Sequence, residues 1–194
     1  MTLADLNIFK QIPTIKTERL VLRKIERTDI DDVYEYTSDP MVPKYLLWYE
    51  HKTKEFTKGY LKYISKLYKR SKYYDWGVTY NGKMIGTVGF SSINVRNNSA
   101  EIGYVLNRNF WGMGIASEAV AAILSFGFLT LNLNRIEAIF LPENDQSRRV
   151  LEKANMKSEG IRRSALLVKE RYRDIEVYSI LREEYLNGIN NLIK

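Results

Sequence analysis

The sequence predicts an α+β fold in a single domain spanning residues 1–194. Three observations lead there. Segments of period-two patterning and segments of helical period follow one another without regular alternation. The pair Asn81-Gly82, the strongest short hairpin signal, sits between two strand-like runs. Trp111-Gly112-Met113-Gly114 separates an apolar alternating run from a long apolar one, the order of strand, Gly-rich turn and helix. Internal repeats, low-complexity blocks and linkers are lacking, and the length suits one large domain.

The elements follow in order. Residues 1–16 read as a leader or short capping segment, with Pro13 against a continuous helix. Residues 19–23 alternate as a strand. Thr28 precedes a helix over 29–36 with acids in its first turn, which Pro40 and Pro43 terminate. Residues 54–70 form a second helix with Phe56, Tyr60, Tyr63, Ile64 and Leu67 on one stripe. Strands over 76–80 and 83–93 flank Asn81-Gly82; Gly86 and Gly89 mark close approach or a bulge. Asn97-Asn98 turns the chain into a strand over 100–106. After the Gly-rich turn a helix runs to about Leu131, then a strand over 135–141. Residues 142–145 cap a helix that ends near Ala154, with Asn155 as a left-handed terminator. Two strands, 156–173 and 175–181, close the fold, and 187–194 form a weakly ordered tail.

Composition narrows the chemistry. Apolar residues make up 45% and charged residues 27%, enough for a real core. The absence of cysteine excludes disulfides, thiolate nucleophiles and Cys-based zinc sites. A single histidine excludes a multi-His centre, so no metal is expected. Thirty basic residues against 23 acidic ones give +7, which suits nucleic acid, an anionic membrane or an anionic cofactor as partner. The longest apolar stretch, 119–133, is too short and too interrupted to span a bilayer, and the N-terminus lacks a secretion-signal pattern, so the expected location is cytoplasmic. No aromatic-basic recognition motif supports nucleic acid.

The Gly-rich turn carries the sharpest signal. Unpaired N–H groups and the positive end of a helix macrodipole together suit a pyrophosphate, and glycine lets backbone approach it closely. Four segments occur in order: Ala100-Glu101-Ile102-Gly103-Tyr104; Phe110-Trp111-Gly112-Met113-Gly114-Ile115-Ala116-Ser117-Glu118; Asn134-Arg135-Ile136-Glu137-Ala138; and Pro142-Glu143-Asn144-Asp145-Gln146-Ser147. Together they resemble the GNAT superfamily of acyl-CoA-dependent N-acyltransferases, and within it the RimJ/RimL group that acetylates protein N-termini, including those of ribosomal proteins. The resemblance covers about 17–186.

That resemblance implies a mixed central sheet splayed between strands 100–106 and 135–141, flanked by helices, with acetyl-CoA as donor and no metal. The pantetheine arm would pair with the strand bearing Tyr104, Val105 and Leu106. The pyrophosphate would rest on the N–H groups of 109–114, with Asn109, Phe110, Trp111, Gly112, Met113, Gly114, Ile115 and Ala116 forming the cradle and Arg108 adding charge. Asn144 and Ser147 would line the thiol end. Ser147 would hold or protonate the leaving thiolate, because the tyrosine that many members place in this helix is Leu151 here. Other departures are Asn109, where Gln or Arg is common, Met113 between the glycines, and Asn155-Met156 for a usual Gly-Phe. Glu101 is the candidate general base, directly or through water, with Asp174 as runner-up. The acceptor implied is the N-terminal α-amine of a protein. A small amine (polyamine, amino acid or antibiotic) and a non-catalytic CoA-binding role are the alternatives. A homodimer fits families of this kind. Outside the motifs, Trp111 reads as a packing residue, His51 as a solvated surface residue, and Trp48, Tyr49 and Tyr172 as candidates to contact the acceptor.

Overall fold

The computed structural model describes residues 5–192. Eight strands form one sheet in the order β1-β2-β3-β4-β5-β6-β8-β7. They are β1 (Ile15–Lys16), β2 (Leu20–Arg23), β3 (Asp75–Tyr80), β4 (Lys83–Asn94), β5 (Ser99–Leu106), β6 (Arg135–Phe140), β7 (Lys157–Val168) and β8 (Arg171–Leu181). Every pairing is antiparallel except β5–β6, which is parallel. Helices α1 (Ile30–Thr37) and α2 (Lys54–Lys69) interrupt the chain after β2. Helix α3 (Ile115–Ser125) joins β5 to β6, α4 (Asp145–Lys153) joins β6 to β7, and α5 (Arg182–Leu192) follows β8. This is the α+β order expected, with β1 and α5 added.

The largest core cluster joins buried residues of the sheet to those of α1, α2 and α3. Trp76 of β3 meets Phe9, Phe90 and Phe126 edge to face, with centroids 5.1–6.3 Å apart. The Trp76 indole N–H donates to the Pro13 carbonyl at 2.7 Å, which ties the N-terminal segment down. Residues 5–11 form a 3-10 segment that supplies Phe9, so the expected capping role holds for the described part; residues 1–4 of that expectation lie outside the described residues.

Several local expectations need correction. Thr28 does not cap α1. Asp29 instead accepts from the Glu26 N–H at 2.7 Å and pairs with Arg23, so a capping box begins one turn earlier. The buried stripe of α2 is Thr57, Leu61, Ile64 and Tyr68, while Phe56 and Tyr63 are exposed. A stripe counted from the aromatics was rotated, because Tyr68 and Thr57 bury through hydrogen bonds that hydropathy does not score. The helix after the Gly-rich turn leaves α geometry at Phe126 and ends as a π turn over Phe126–Thr130. The last hairpin turns at Lys169-Glu170, both at positive φ, and not near Asp174; no glycine marks the site. The tail is helical to Leu192. Asn155, at φ 58°, does terminate α4 as expected.

Candidate active site

Strand β5 ends at Leu106, and the Asn107 side chain folds the next residues. Its Oδ1 accepts from the Asn109 N–H at 3.0 Å, and its Nδ2 donates to Glu35 at 2.8 Å. The Phe110 and Trp111 N–H groups bond back to the carbonyls of Asn107 and Arg108. From Gly112 to Ser117 the pattern changes. Among the described residues, none of these six N–H groups has a protein acceptor; pairing resumes at Glu118, which donates to Gly114 at 3.1 Å. The unpaired run therefore covers 112–117. Of the 109–114 N–H groups expected to form the cradle, those of Asn109, Phe110 and Trp111 have internal partners and those of 112–114 fall in the unpaired run. Gly112 and Gly114 sit at φ 76° and 75°, and no protein atom lies within 4 Å of where a Gly112 Cβ would stand. Left-handed backbone, not crowding by the protein, is what demands glycine there.

Side chains from distant segments brace the loop. Arg19 Nη1 donates to the Met113 carbonyl at 2.9 Å, and Arg19 Nε to Glu118 at 2.7 Å. Glu118 also accepts from the Arg19 N–H and the Thr17 hydroxyl. Burial pushes the Glu118 carboxyl up, but those donors outweigh it and hold it below the ordinary range. The carboxylate in the first turn of α3 is thus neutralised by Arg19. Arg19 was read only as a strand residue, since a contact across 94 residues leaves no local signal. Arg108, expected to add charge at the loop, pairs with Asp39 at 2.9 Å. The Trp111 indole N–H donates to the Leu106 carbonyl at 2.9 Å, a packing role that also closes the end of β5. Phe110 packs edge to face on Tyr80. Ile115 is buried and Ala116 packs against the core.

The expected splay is present. Strands β5 and β6 pair only over Ser99↔Arg135, Ala100↔Ile136 and Glu101↔Glu137. Beyond Glu101 they diverge while β5 stays paired to β4 through Leu106. The Asn107 N–H donates to Ile85 of β4, so backbone alternation aims the groups of Ile102, Tyr104 and Leu106 away from β4 and into the splay, and those of Gly103 and Val105 toward β4. The Tyr104 side chain crosses to α4, where its hydroxyl donates to the Ser147 carbonyl at 3.2 Å. Burial pushes this phenol up to about 12. Asn144 caps α4 by accepting from the Ser147 N–H at 3.2 Å. Tyr104, Asn144 and Ser147 therefore meet at one wall of the splay, beside an extended backbone edge that can take an added strand.

Glu101 lies at the closed end of the splay. Its Oε1 accepts from the Ser91 hydroxyl at 2.6 Å. In the parallel register it stands beside Glu137, which pairs with Arg135 at 2.9 Å. The Arg135 guanidinium, with the Ser179 hydroxyl, holds Glu159 down at about 2. A polar cavity of about 360 Å³ opens here, lined by Glu101, Glu137, Ser92, Asn94, Asn97 and Asn134 among others. Asp174 lies apart: it is exposed and accepts from the Ser164 N–H at 2.8 Å, holding a bulge in β7. His51 is not solvated. It is buried among Trp48, Phe56 and Tyr60, its Nδ1 lies 2.9 Å from the Thr57 hydroxyl, and burial lowers its pKa. Tyr49, on the same inter-helix segment, packs against Lys169 of the β7–β8 turn, and Tyr172 is exposed on β8. Among the described residues no helix is long and apolar enough to cross a membrane.

Comparison with known proteins agrees with this geometry. The acetyltransferase (GNAT) domain family matches residues 19–157. The uncharacterized N-acetyltransferase p20 of Bacillus licheniformis is 40% identical over 174 residues, covering 89% of this chain and 98% of that protein. A GNAT-family acetyltransferase from Bacillus anthracis superposes with a TM-score of 0.78 at 35% identity, over 89% of this chain and all of that one. At 21% identity, where only the fold is shared, RimL, a ribosomal L7/L12 α-N-protein acetyltransferase in complex with coenzyme A, superposes with a TM-score of 0.75 over 87% and 98% of the two chains. The family match and the identity to these relatives, together with a splayed mixed sheet and a Gly-rich turn in the expected order, show that the chain belongs to the GNAT family of N-acetyltransferases.

Proposed function

We propose that the protein transfers the acetyl group of acetyl-CoA directly to a primary amine, the N-terminal α-amine of a protein such as a ribosomal protein. One observation carries the donor assignment. Six consecutive unpaired N–H groups at the start of α3 adjoin an unpaired strand edge on β5. The first suits a pyrophosphate and the second an amide-bearing arm. Tyr104, Val105 and Leu106 would flank the arm, with Asn144 and Ser147 at the thiol end. Ser147 would stabilise the departing thiolate, and Glu101 would take a proton from the amine as the C–N bond forms, directly or through water. Fold likeness to RimL supports the α-amine as acceptor. The polar cavity beside Glu101 and Glu137 favours a second reading, a small cationic amine. Thiol release from acetyl-CoA tests both, without background because the protein has no cysteine. Peptides with free N-terminal serine or alanine are compared with the same peptides blocked, and with spermidine. Turnover of free peptides alone supports the first reading, and turnover of spermidine alone the second. Turnover of neither, with acetyl-CoA bound, refutes both acceptor assignments.

A further inference from the structure

Helix α2 carries more positive charge than packing requires. Lys54, Lys58, Lys62, Lys66 and Lys69 stand on it against a single acid, Glu55. The first four recur at i, i+4, so like charges neighbour one another along one ridge, an arrangement that destabilises a helix. Lys54 pairs with Asp31 at 2.8 Å. Among the described residues, Lys58, Lys62, Lys66 and Lys69 form no ion pair, and all four are exposed. At the rise of an α-helix, the ridge from Lys58 to Lys69 extends about 16 Å.

The other flank of the exposed face is aromatic. Because Thr57, Leu61, Ile64 and Tyr68 turn to the core, Phe56 and Tyr63 stand outside, 63% and 58% exposed. They are seven residues apart and so lie on one side of the helix, two turns from each other. Gly59 separates them from Lys58 and Lys62, and a Cβ there would meet nothing within 4 Å. On the lysine side a groove of about 300 Å³ runs between α2 and the segment that enters α1. Exposed Arg27, Lys58 and Lys62 form its rim, and Ile30 and Leu61 its floor. The nearby acids are engaged: Asp31 by Lys54, and Glu26 in the capping box before α1. In the sequence the aromatics of α2 read as a buried stripe, which hides the aromatic-basic pattern that the fold exposes.

These features discriminate among polyanions. An anionic membrane takes an amphipathic helix by its apolar face, and in α2 that face is packed in the core. An acidic polypeptide is matched by the cations alone. A single-stranded nucleic acid uses both parts, phosphates on the cations and bases stacked on the rings. We propose that the exposed face of α2 is a docking surface for single-stranded nucleic acid. Its phosphate backbone runs along the lysine ridge, with Arg27 as a further cation across the groove. Bases stack on Tyr63 and Phe56, and the groove floor of Ile30 and Leu61 receives a base turned the other way. No group assigned to catalysis or to acetyl-CoA lies on α2, so this surface stands independently of the transferase reading.

The test is fluorescence anisotropy of the full chain with labelled single-stranded RNA and DNA of about ten nucleotides, a length within the site sizes of single-strand binders. Binding should saturate and weaken with salt. With Arg27, Lys58, Lys62, Lys66 and Lys69 engaged, log Kobs against log salt should slope at about −3.5. The pair Lys58→Ala and Lys62→Ala should cost about tenfold or more at about 50 mM salt and flatten the slope by about 1.4. The pair Arg162→Ala and Arg163→Ala removes the same charge from exposed positions on β7 and should bind as the parent does. Tyr63→Ala should cost about fivefold or more without changing the slope, since stacking releases no counterions. Amide NMR of the parent, which needs no variant, should place the shifts on α2 and on residues 26–30. Equal losses in the lysine and arginine pairs overturn the assignment, because net charge alone would then explain binding. So do absent binding at low salt, shifts confined to other elements, or polyglutamate or phosphatidylglycerol vesicles bound as tightly as the oligonucleotides.

Discussion

A carboxylate kept beneath two helices carries a cost that stability measurements read directly. Asp75→Asn preserves the size of the side chain and removes its charge. Burial moves the Asp75 carboxyl from 3.8 to about 7. That is about three pKa units, at 1.36 kcal/mol each, or about 4 kcal/mol. The sign follows from proton binding. Between 3.8 and about 7 the folded chain holds more protons at this site than the unfolded chain. Stability therefore falls as pH rises through that window, and the penalty is complete above it. The amide never ionises and escapes the penalty. Urea unfolding of parent and variant at about pH 4 and about pH 8 should show little difference at the lower pH and a variant more stable by up to about 4 kcal/mol at the higher. A stability difference that does not change with pH, or a variant less stable at the higher pH, would refute the reasoning.

Three more outcomes follow from other parts of the structure. Glu118→Gln should weaken the brace on the Gly-rich turn by about 1–3 kcal/mol, the scale of hydrogen bonds to a charged group; because the Glu118 carboxyl is held low, this contribution is present above 4.5 and fades as pH falls through its folded value, so denaturant melts of the two proteins should converge in acid. Gly89→Ala places a Cβ 2.3 Å from the Tyr74 carbonyl oxygen and should cost about 3 kcal/mol or more, seen as a lowered thermal midpoint; an unchanged midpoint would contradict the close approach of β3 and β4. Burial holds His51 neutral, so the unfolded chain binds the extra proton and stability should decline as pH drops below 6.5; Thr57→Val, which removes its hydroxyl partner, should cost about 1–3 kcal/mol in the same melts.

Much of the fold was legible because the determining signals are local. Asn81-Gly82 dictates a hairpin, Asn144 a cap, Asn155 a helix end, and Gly112 and Gly114 a left-handed turn. Each acts through backbone geometry within a few residues. What escaped was non-local. Arg19 reaches the Met113 carbonyl across 94 positions, and nothing near it in the sequence distinguishes it from any strand arginine. Arg108 sits beside the loop in sequence, yet its guanidinium turns to Asp39. His51 lies in a polar stretch, and only the convergence of Trp48, Phe56, Tyr60 and Thr57 buries it. Asp75 borders a strand and resembles any turn aspartate until Gly89 and the tyrosines of α1 and α2 surround it. In the Gly-rich turn the motif located the bend, but which N–H groups stay unpaired depended on local bonds it does not encode. Asn109 donates to the Asn107 side chain, and Phe110 and Trp111 donate to the carbonyls of Asn107 and Arg108, so the unpaired run is 112–117.

Amide NMR of the ¹⁵N-labelled protein titrated with acetyl-CoA tests that donor set most directly. The account predicts saturable shifts and slowed hydrogen exchange for the N–H groups of residues 112–117, with those of Asn109, Phe110 and Trp111 keeping their internal partners and changing little. Acetyl-CoA that leaves 112–117 unmoved, or binds while perturbing amides away from the start of α3 and the open edge of β5, would contradict it.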